Sequence, residues 1–188
     1  MTEILPDRRI EAYLQKIAAG PKLSKDLTEE EAEDALSLIL DGKVSQVRVG
    51  VFLIAARIKI ETVAENIGYW RALQKNMSCK NIMVDNLLQI ADPFDGFQRT
   101  PYFGFYTIPV LAQLGLPTYG HSALPLPPKF GITFEDLLVN HYQVPESGHY
   151  EQRIKQIEEY NFGYINTADS LPPLEKLRSM RKEIVKRP

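Results

Sequence analysis

Over the first third of the chain, apolar side chains return every three or four positions. Ile10, Tyr13, Leu14 and Ile17 fall on one face of a 3.6-residue repeat, which predicts a helix ended by Gly20-Pro21. Thr28-Glu-Glu-Glu31 has the spacing of a capping box, with the threonine hydroxyl accepting from a first-turn amide and Glu31 reaching back. Ala32, Ala35, Leu36, Ile39 and Leu40 then form an apolar stripe, and Asp41-Gly42 stops it because glycine takes the left-handed C-cap geometry cheaply. Ser45 caps a third helix with Val49, Phe52, Leu53, Ala56 and Ile60 on its inner face. A fourth runs from about Thr62 through Ile67, Tyr69, Trp70 and Leu73 to Asn76. The short connections predict an antiparallel helical cluster.

After Asn81 the pattern changes. Ile82 to Ala91 is an apolar run that predicts a buried strand, and Asp92-Pro-Phe-Asp-Gly96 is rich in turn formers. Thr100-Pro101 suits the cap and first position of a helix reaching Leu114, although Pro109 inside it must deny the helix one hydrogen bond or kink it. Gly115 to His121 reads as a second strand. Thr133-Phe-Glu-Asp136 repeats the capping pattern ahead of Leu137-Leu138, Tyr150 to Tyr160 reads as a helix, and Gly163-Tyr-Ile-Asn166 as a third strand. Leu171-Pro-Pro opens a final helix bearing Leu174, Leu177, Arg178, Arg181 and Lys182 and stopping with Pro188. Strands alternating with helices predict a parallel layer, so the class is α followed by α/β. The predicted divisions are 1–78 helical, 79–170 α/β and 171–188 a last helix. Three parallel strands make a poorly closed sheet, which reads either as a fragment or as a lobe completed by another chain.

Composition narrows the function classes. The 188 residues carry 22 Lys plus Arg against 24 Asp plus Glu, a net charge of −2, with 44% hydrophobic residues. That balance matches neither disorder nor a strongly basic nucleic-acid domain. Charges near the N-terminus and the lack of an 18-residue apolar run predict a soluble cytoplasmic protein with no membrane partner. Cys79, the single cysteine, has no sequence neighbour with which to build a metal site, and reads as an inert or buried thiol.

Several residues bear chemistry with two readings each. Asp92 and Asp95 suit a cation site or a tight turn. Arg99, just ahead of the expected helix start, does nothing for the helix dipole and hints at an anion nearby. Phe94, Phe97, Tyr102, Phe103, Phe105 and Tyr106 with Arg99 suit stacking on bases or core packing.

Leu27-Thr-Glu-Glu-Glu-Ala-Glu-Asp-Ala-Leu-Ser-Leu-Ile-Leu-Asp-Gly-Lys-Val-Ser45 and Gly50-Val-Phe-Leu-Ile-Ala-Ala-Arg-Ile-Lys-Ile-Glu-Thr62 resemble the N-terminal helical domain of the anthranilate phosphoribosyltransferase and nucleoside phosphorylase family, glycosyltransferase family 3. Gly115 to His121 is similar to the family strand ending in Lys-His-Gly, and Leu174 to Ile184 to the helix that returns to the helical domain. The resemblance implies transfer of a ribosyl group from phosphoribosyl pyrophosphate, with Mg2+, to an aromatic amine in a cleft between two lobes, and a homodimer through the helical lobe. It places His121 and Arg181 at the substrate and Asp95, Gly96, Arg99 and Lys129 at the phosphates. No catalytic residue and no metal ligand is assigned.

The departures point elsewhere. Where the family has Gly-Thr-Gly-Gly-Asp-Gly, this chain has Ala91-Asp-Pro-Phe-Asp-Gly96; Pro93 has no amide to donate and Phe94 obstructs a phosphate. Tyr102-Phe-Gly-Phe105 replaces Asn-x-Ser-Thr, and prolines at 127 and 128 replace hydroxyl donors before Lys129. The family's magnesium-binding acidic pair has no counterpart before Pro188. The spacing is similar to the anthranilate-phosphoribosyltransferase-like branch, whose phosphate loop is degenerate and for which nucleic-acid binding has been proposed. Two readings stand: a diverged transferase with weak or no anthranilate transfer, and a non-catalytic module for nucleic acid or a protein partner.

Overall fold

A computed structural model describes residues 5–20, 22–99, 101–145 and 149–184. Expectations resting on Pro21, Thr100 and Pro188 lie outside the described residues. The chain forms two compact units, one of residues up to 77 together with those from 176 onward, the other of Ser78–Glu175.

The first unit holds α1 (Pro6–Ile17), α2 (Glu29–Leu40), α3 (Gln46–Lys59) and α4 (Val63–Asn76). Thr28 caps α2 in a complete capping box with Glu31, and Ser45 accepts from the Arg48 amide at the start of α3. Asp41-Gly42 ends α2 with Gly42 at φ +71°. Ile10, Ile17, Ala32, Ala35, Leu36, Ile39, Val49, Phe52 and Ala56 form the core as the apolar stripes predict. Two expectations are corrected. Ile60 caps α3 with φ 70° and is exposed. On α4 the buried face is Glu65, Gly68 and Ala72, while Ile67 and Trp70 are exposed. The cause is a close approach of backbones: a Cβ on Gly68 would meet Glu29 O at 2.2 Å and Ala32 Cβ at 2.8 Å, so only small residues fit where α4 meets α2.

Thr62 and Glu65 form a second capping box, and the Glu65 carboxylate is a hub. It accepts from the Leu27 amide at 2.9 Å, the Thr62 amide at 2.8 Å and Lys59 Nζ at 2.8 Å. Burial raises its pKa, but the Lys59 ammonium and these amides outweigh that and hold the carboxyl below the ordinary glutamate value.

The second unit is a parallel sheet in the order β1 (Leu88–Ala91), β2 (Thr118–Ser122), β3 (Phe162–Asn166). Leu88 pairs with Thr118 and Thr118 with Phe162 in register. Between the strands come α5 (Gly104–Gln113), the turn α6 (Phe134–Asp136), which continues as a π-helical segment over Leu137–His141, and α7 (Tyr150–Tyr160). One sheet face, with Ile90 and Tyr164, packs on Phe105, Ile108 and Phe134. On the other, Gly163 lies against Ile157 of α7.

The first strand is shorter and more exposed than the apolar run from Ile82 suggests. Asn86 turns with φ 54°, Met83 is exposed, and the ladder starts only at Leu88. The helix expected from Pro101 begins at Gly104, because Tyr102 leaves the chain direction to bond Asp92 and stack on Phe97 at 5.2 Å. After a short α8 (Thr167–Ser170), the final helix expected from Leu171 is two pieces, α9 (Pro172–Glu175) and α10 (Arg178–Ile184). The Leu171 carbonyl accepts from both Leu174 and Glu175, which tightens and closes the α9 turn. Among the described residues, no helix is long and apolar enough to cross a membrane.

Candidate functional site

Parallel strands present their carboxyl ends at one edge, where the loops that leave them converge; in open α/β sheets that edge is the usual ligand site. Here the segments are Asp92–Gly96 after β1, 123–131 after β2 and the short α8 (Thr167–Ser170) after β3. The Asp92 amide donates to the His121 carbonyl at 3.0 Å, joining the first two.

Asp92 is the centre of this edge. Its carboxylate accepts from Tyr102 Oη at 2.8 Å and from the backbone N–H of Phe134 at 2.6 Å, with the Ser122 hydroxyl as a further partner. Burial raises its pKa, and the three hydrogen bonds offset only part of that. The Tyr102 phenol is raised in turn by burial and by the Asp92 charge.

Asp95, Gly96 and Lys129 are brought together. Lys129 Nζ lies 3.3 Å from the buried Asp95 carboxylate and 3.4 Å from the Gly96 carbonyl. The loops that carry them are laced along their backbones: Gly131 N–H donates to Asp95 O, Phe97 N–H to Ile132 O and Ile132 N–H to Phe97 O, all within 2.8–2.9 Å. Gly96, at φ +69°, has room for no side chain, since a Cβ would sit 2.4 Å from the Gly131 backbone; one on Gly131 would sit 2.5 Å from Phe97 O. The loop backbone thus faces its neighbour loop.

His121 lies half-buried on β2, with Nε2 3.2 Å from Ser170 Oγ and 3.5 Å from Thr167 Oγ1. Burial holds the imidazole below the usual histidine value, so it is neutral at pH 7. Arg99 is exposed and lies five residues before α5, away from any helix start. Arg181 is half-buried on α10 in the first unit, whereas the other five predicted residues are in the second.

Sequence patterns missed two features. One is the Asp92, Tyr102 and Phe134 cluster, whose members join across 42 residues. The other is a buried bidentate pair, Arg153 Nη1 and Nη2 each 3.0 Å from the Glu135 carboxylate, which anchors α6 to α7. Asp92 and Asp95 do not fit a shared cation: one is bonded to Tyr102 and Phe134 and the other to Lys129. Among the described residues no group of three or more His, Cys, Asp or Glu is arranged to hold a metal ion.

Comparison with known proteins agrees with the fold. Residues 11–77 match the glycosyl transferase family, helical bundle domain. An uncharacterized protein of Aquifex aeolicus is 29% identical over 175 residues, covering 93% of this chain and 52% of its own length. The crystal structure of anthranilate phosphoribosyltransferase from Thermus thermophilus superposes with a TM-score of 0.71 at 20% identity, over 95% of this chain and 51% of that one. The enzyme from Saccharomyces cerevisiae, in complex with PRPP and Mg, gives 0.66 at 15% identity, over 96% and 52%. This chain therefore has the anthranilate phosphoribosyltransferase-like fold, and it spans about half the length of these relatives.

Proposed function

We propose that this chain is a diverged anthranilate-phosphoribosyltransferase-like protein, cytoplasmic, whose phosphoribosyl pyrophosphate site is degenerate and supports weak or no anthranilate transfer. The observation that carries this reading is Asp92. Its carboxylate takes up the Tyr102 hydroxyl and the Phe134 amide, donors that a phosphate at this edge would need. The one lysine predicted for the phosphates is engaged by Asp95. An incoming diphosphate meets the Asp92 and Asp95 carboxylates with the Tyr102, Phe134 and Lys129 donors already engaged by them. Each lost hydrogen bond to a charged group is worth about 1.5–3 kcal/mol, and every ~1.4 kcal/mol is tenfold in affinity. Calorimetric titration with phosphoribosyl pyrophosphate and Mg2+ tests it.

A second reading, a non-catalytic module for nucleic acid or protein, is favoured by one feature. Tyr142, Phe105 and Tyr164 form a continuous ring stack, with centroids 5.5 and 4.5 Å apart. Tyr142 at its end is 47% exposed, with its hydroxyl 3.5 Å from that of the exposed Tyr106, and exposed rings of this kind stack on bases. A salt-dependent mobility shift of labelled single-stranded DNA supports this reading; no shift at low salt leaves protein partners.

The homodimer belongs to the same proposal. Val47, Val51 and Ile58 give α3 an exposed apolar face, which supports self-association through the helical unit. Light scattering should give a dimer mass; a monomer at high concentration contradicts it.

A further inference from the structure

Thr167 and Ser170 stand one turn apart on α8, and Asn166 at the end of β3 fixes their place by accepting from the Ala168 amide at 2.7 Å. Residues three apart on a helix share a face, so both hydroxyls turn to the same side, where they meet the His121 ring on β2. Thr167 is half-buried and Ser170 is buried. All three residues belong to the second unit.

The protons available decide how the three are joined. A hydroxyl has one to donate. Thr167 gives its proton to the Ser122 carbonyl at 3.1 Å, and Ser170 to the Thr167 carbonyl at 3.4 Å. Both oxygens then face His121 Nε2, at 3.5 and 3.2 Å, with lone pairs only. A neutral imidazole carries its proton on one nitrogen, and only with that proton on Nε2 is every one of these groups paired, the N–H being shared between two oxygens. The other tautomer would take the Ser170 proton from the Thr167 carbonyl and set the Nε2 lone pair against the Thr167 hydroxyl oxygen. Burial disfavours the charged ring. Among the described residues no group bonds Nδ1, and that atom is not enclosed, so its lone pair is open to solvent at the carboxyl end of β2.

We propose that Thr167 and Ser170 are positioning residues that lock His121 as its Nε2–H tautomer and leave Nδ1 as the hydrogen-bond acceptor that β2 offers to a ligand. A bare ring nitrogen takes an N–H or O–H group and repels a phosphate oxygen, so this position selects a ligand with donors. The assignment goes beyond the reading of the phosphate site and holds whether or not the Asp92 loop admits a diphosphate.

The test is NMR of the nitrogen-labelled 188-residue chain, in which couplings to the ring protons tell the protonated nitrogen from the bare one; His121→Gln identifies the signals among the three histidines. The expected result is a proton on Nε2 and a bare Nδ1. Thr167→Val and Ser170→Ala, singly and together, should bring up the Nδ1–H form that the wild type lacks, while Thr167→Ser, which keeps a hydroxyl, should not. Ser170→Ala leaves intact the bond from the Ser78 amide to the Ser170 carbonyl. Acetamide should shift the Nδ1 signal further than acetate, which has the same shape and no donor. A bare Nε2 in the wild type overturns the proposal, as does an unchanged tautomer in all three variants. An acetate shift that equals or exceeds that of acetamide overturns the assignment of Nδ1 to a donor ligand.

Discussion

The backbone N–H of Phe134 donates to Oδ2 of Asp92 across 2.6 Å, linking the loop after β1 to the turn that follows β2. Asp92→Ala strands that amide and the Tyr102 hydroxyl, and should cost about 1–3 kcal/mol. Asp92→Asn retains an acceptor and should cost less. Because the folded carboxyl is raised by burial, its charge opposes folding at neutral pH, and that penalty fades as pH falls through the folded value. Urea melts should therefore show wild type gaining on Asp92→Asn between pH 7 and about 4, with a constant difference contradicting the account.

Gly96 and Gly131 pack backbone to backbone, with Gly96 in left-handed conformation. Gly96→Ala should destabilise by at least about 1 kcal/mol, and Gly131→Ala similarly, since the obstructing atoms are main chain. Alanine at Gly115, which is also left-handed but has open space around it, isolates the conformational part. Thermal melts of the three variants should rank Gly115→Ala mildest.

Pro109 has no N–H to give the Phe105 carbonyl, and Tyr164 Oη supplies the missing donor at 2.6 Å. Tyr164→Phe should cost about 1 kcal/mol in the wild-type background. With Pro109→Ala, whose amide competes for the same carbonyl, the cost should shrink. A double-mutant cycle with no coupling would show that the two groups do not share that carbonyl.

Glu65 is fully buried, with its carboxyl held below the ordinary glutamate value. A depressed carboxyl stabilises the fold above the unfolded value of about 4.3, and that contribution is lost as pH falls through the folded value. Glu65→Gln should flatten this acid limb in urea melts between about pH 6 and 3. Lys59→Met leaves the carboxylate buried without its partner and should cost about 3–5 kcal/mol at pH 7.

What the sequence made legible was local. Thr28, Ser45 and Thr133 each cap the helix or turn that their spacing predicts, because caps join residues three apart. The inner face of α4 was hidden because Gly68, Ala72 and a buried Glu65 make it, and apolar periodicity favours Ile67 and Trp70. At the candidate site, Asp95 and Lys129 were each singled out, but their ion pair was not foreseen. Asp92 reads as a turn former until Tyr102 and Phe134 are seen converging on it, and such long-range pairing leaves no periodic trace.

The central claim is that Asp92 and Asp95 occupy the donors a phosphoribosyl ligand would need. Calorimetric titration of the 188-residue chain with phosphoribosyl pyrophosphate and Mg2+ tests it most directly. The account predicts no binding tighter than about millimolar. Micromolar binding would show that the Asp92 loop opens to a diphosphate and that the site is intact.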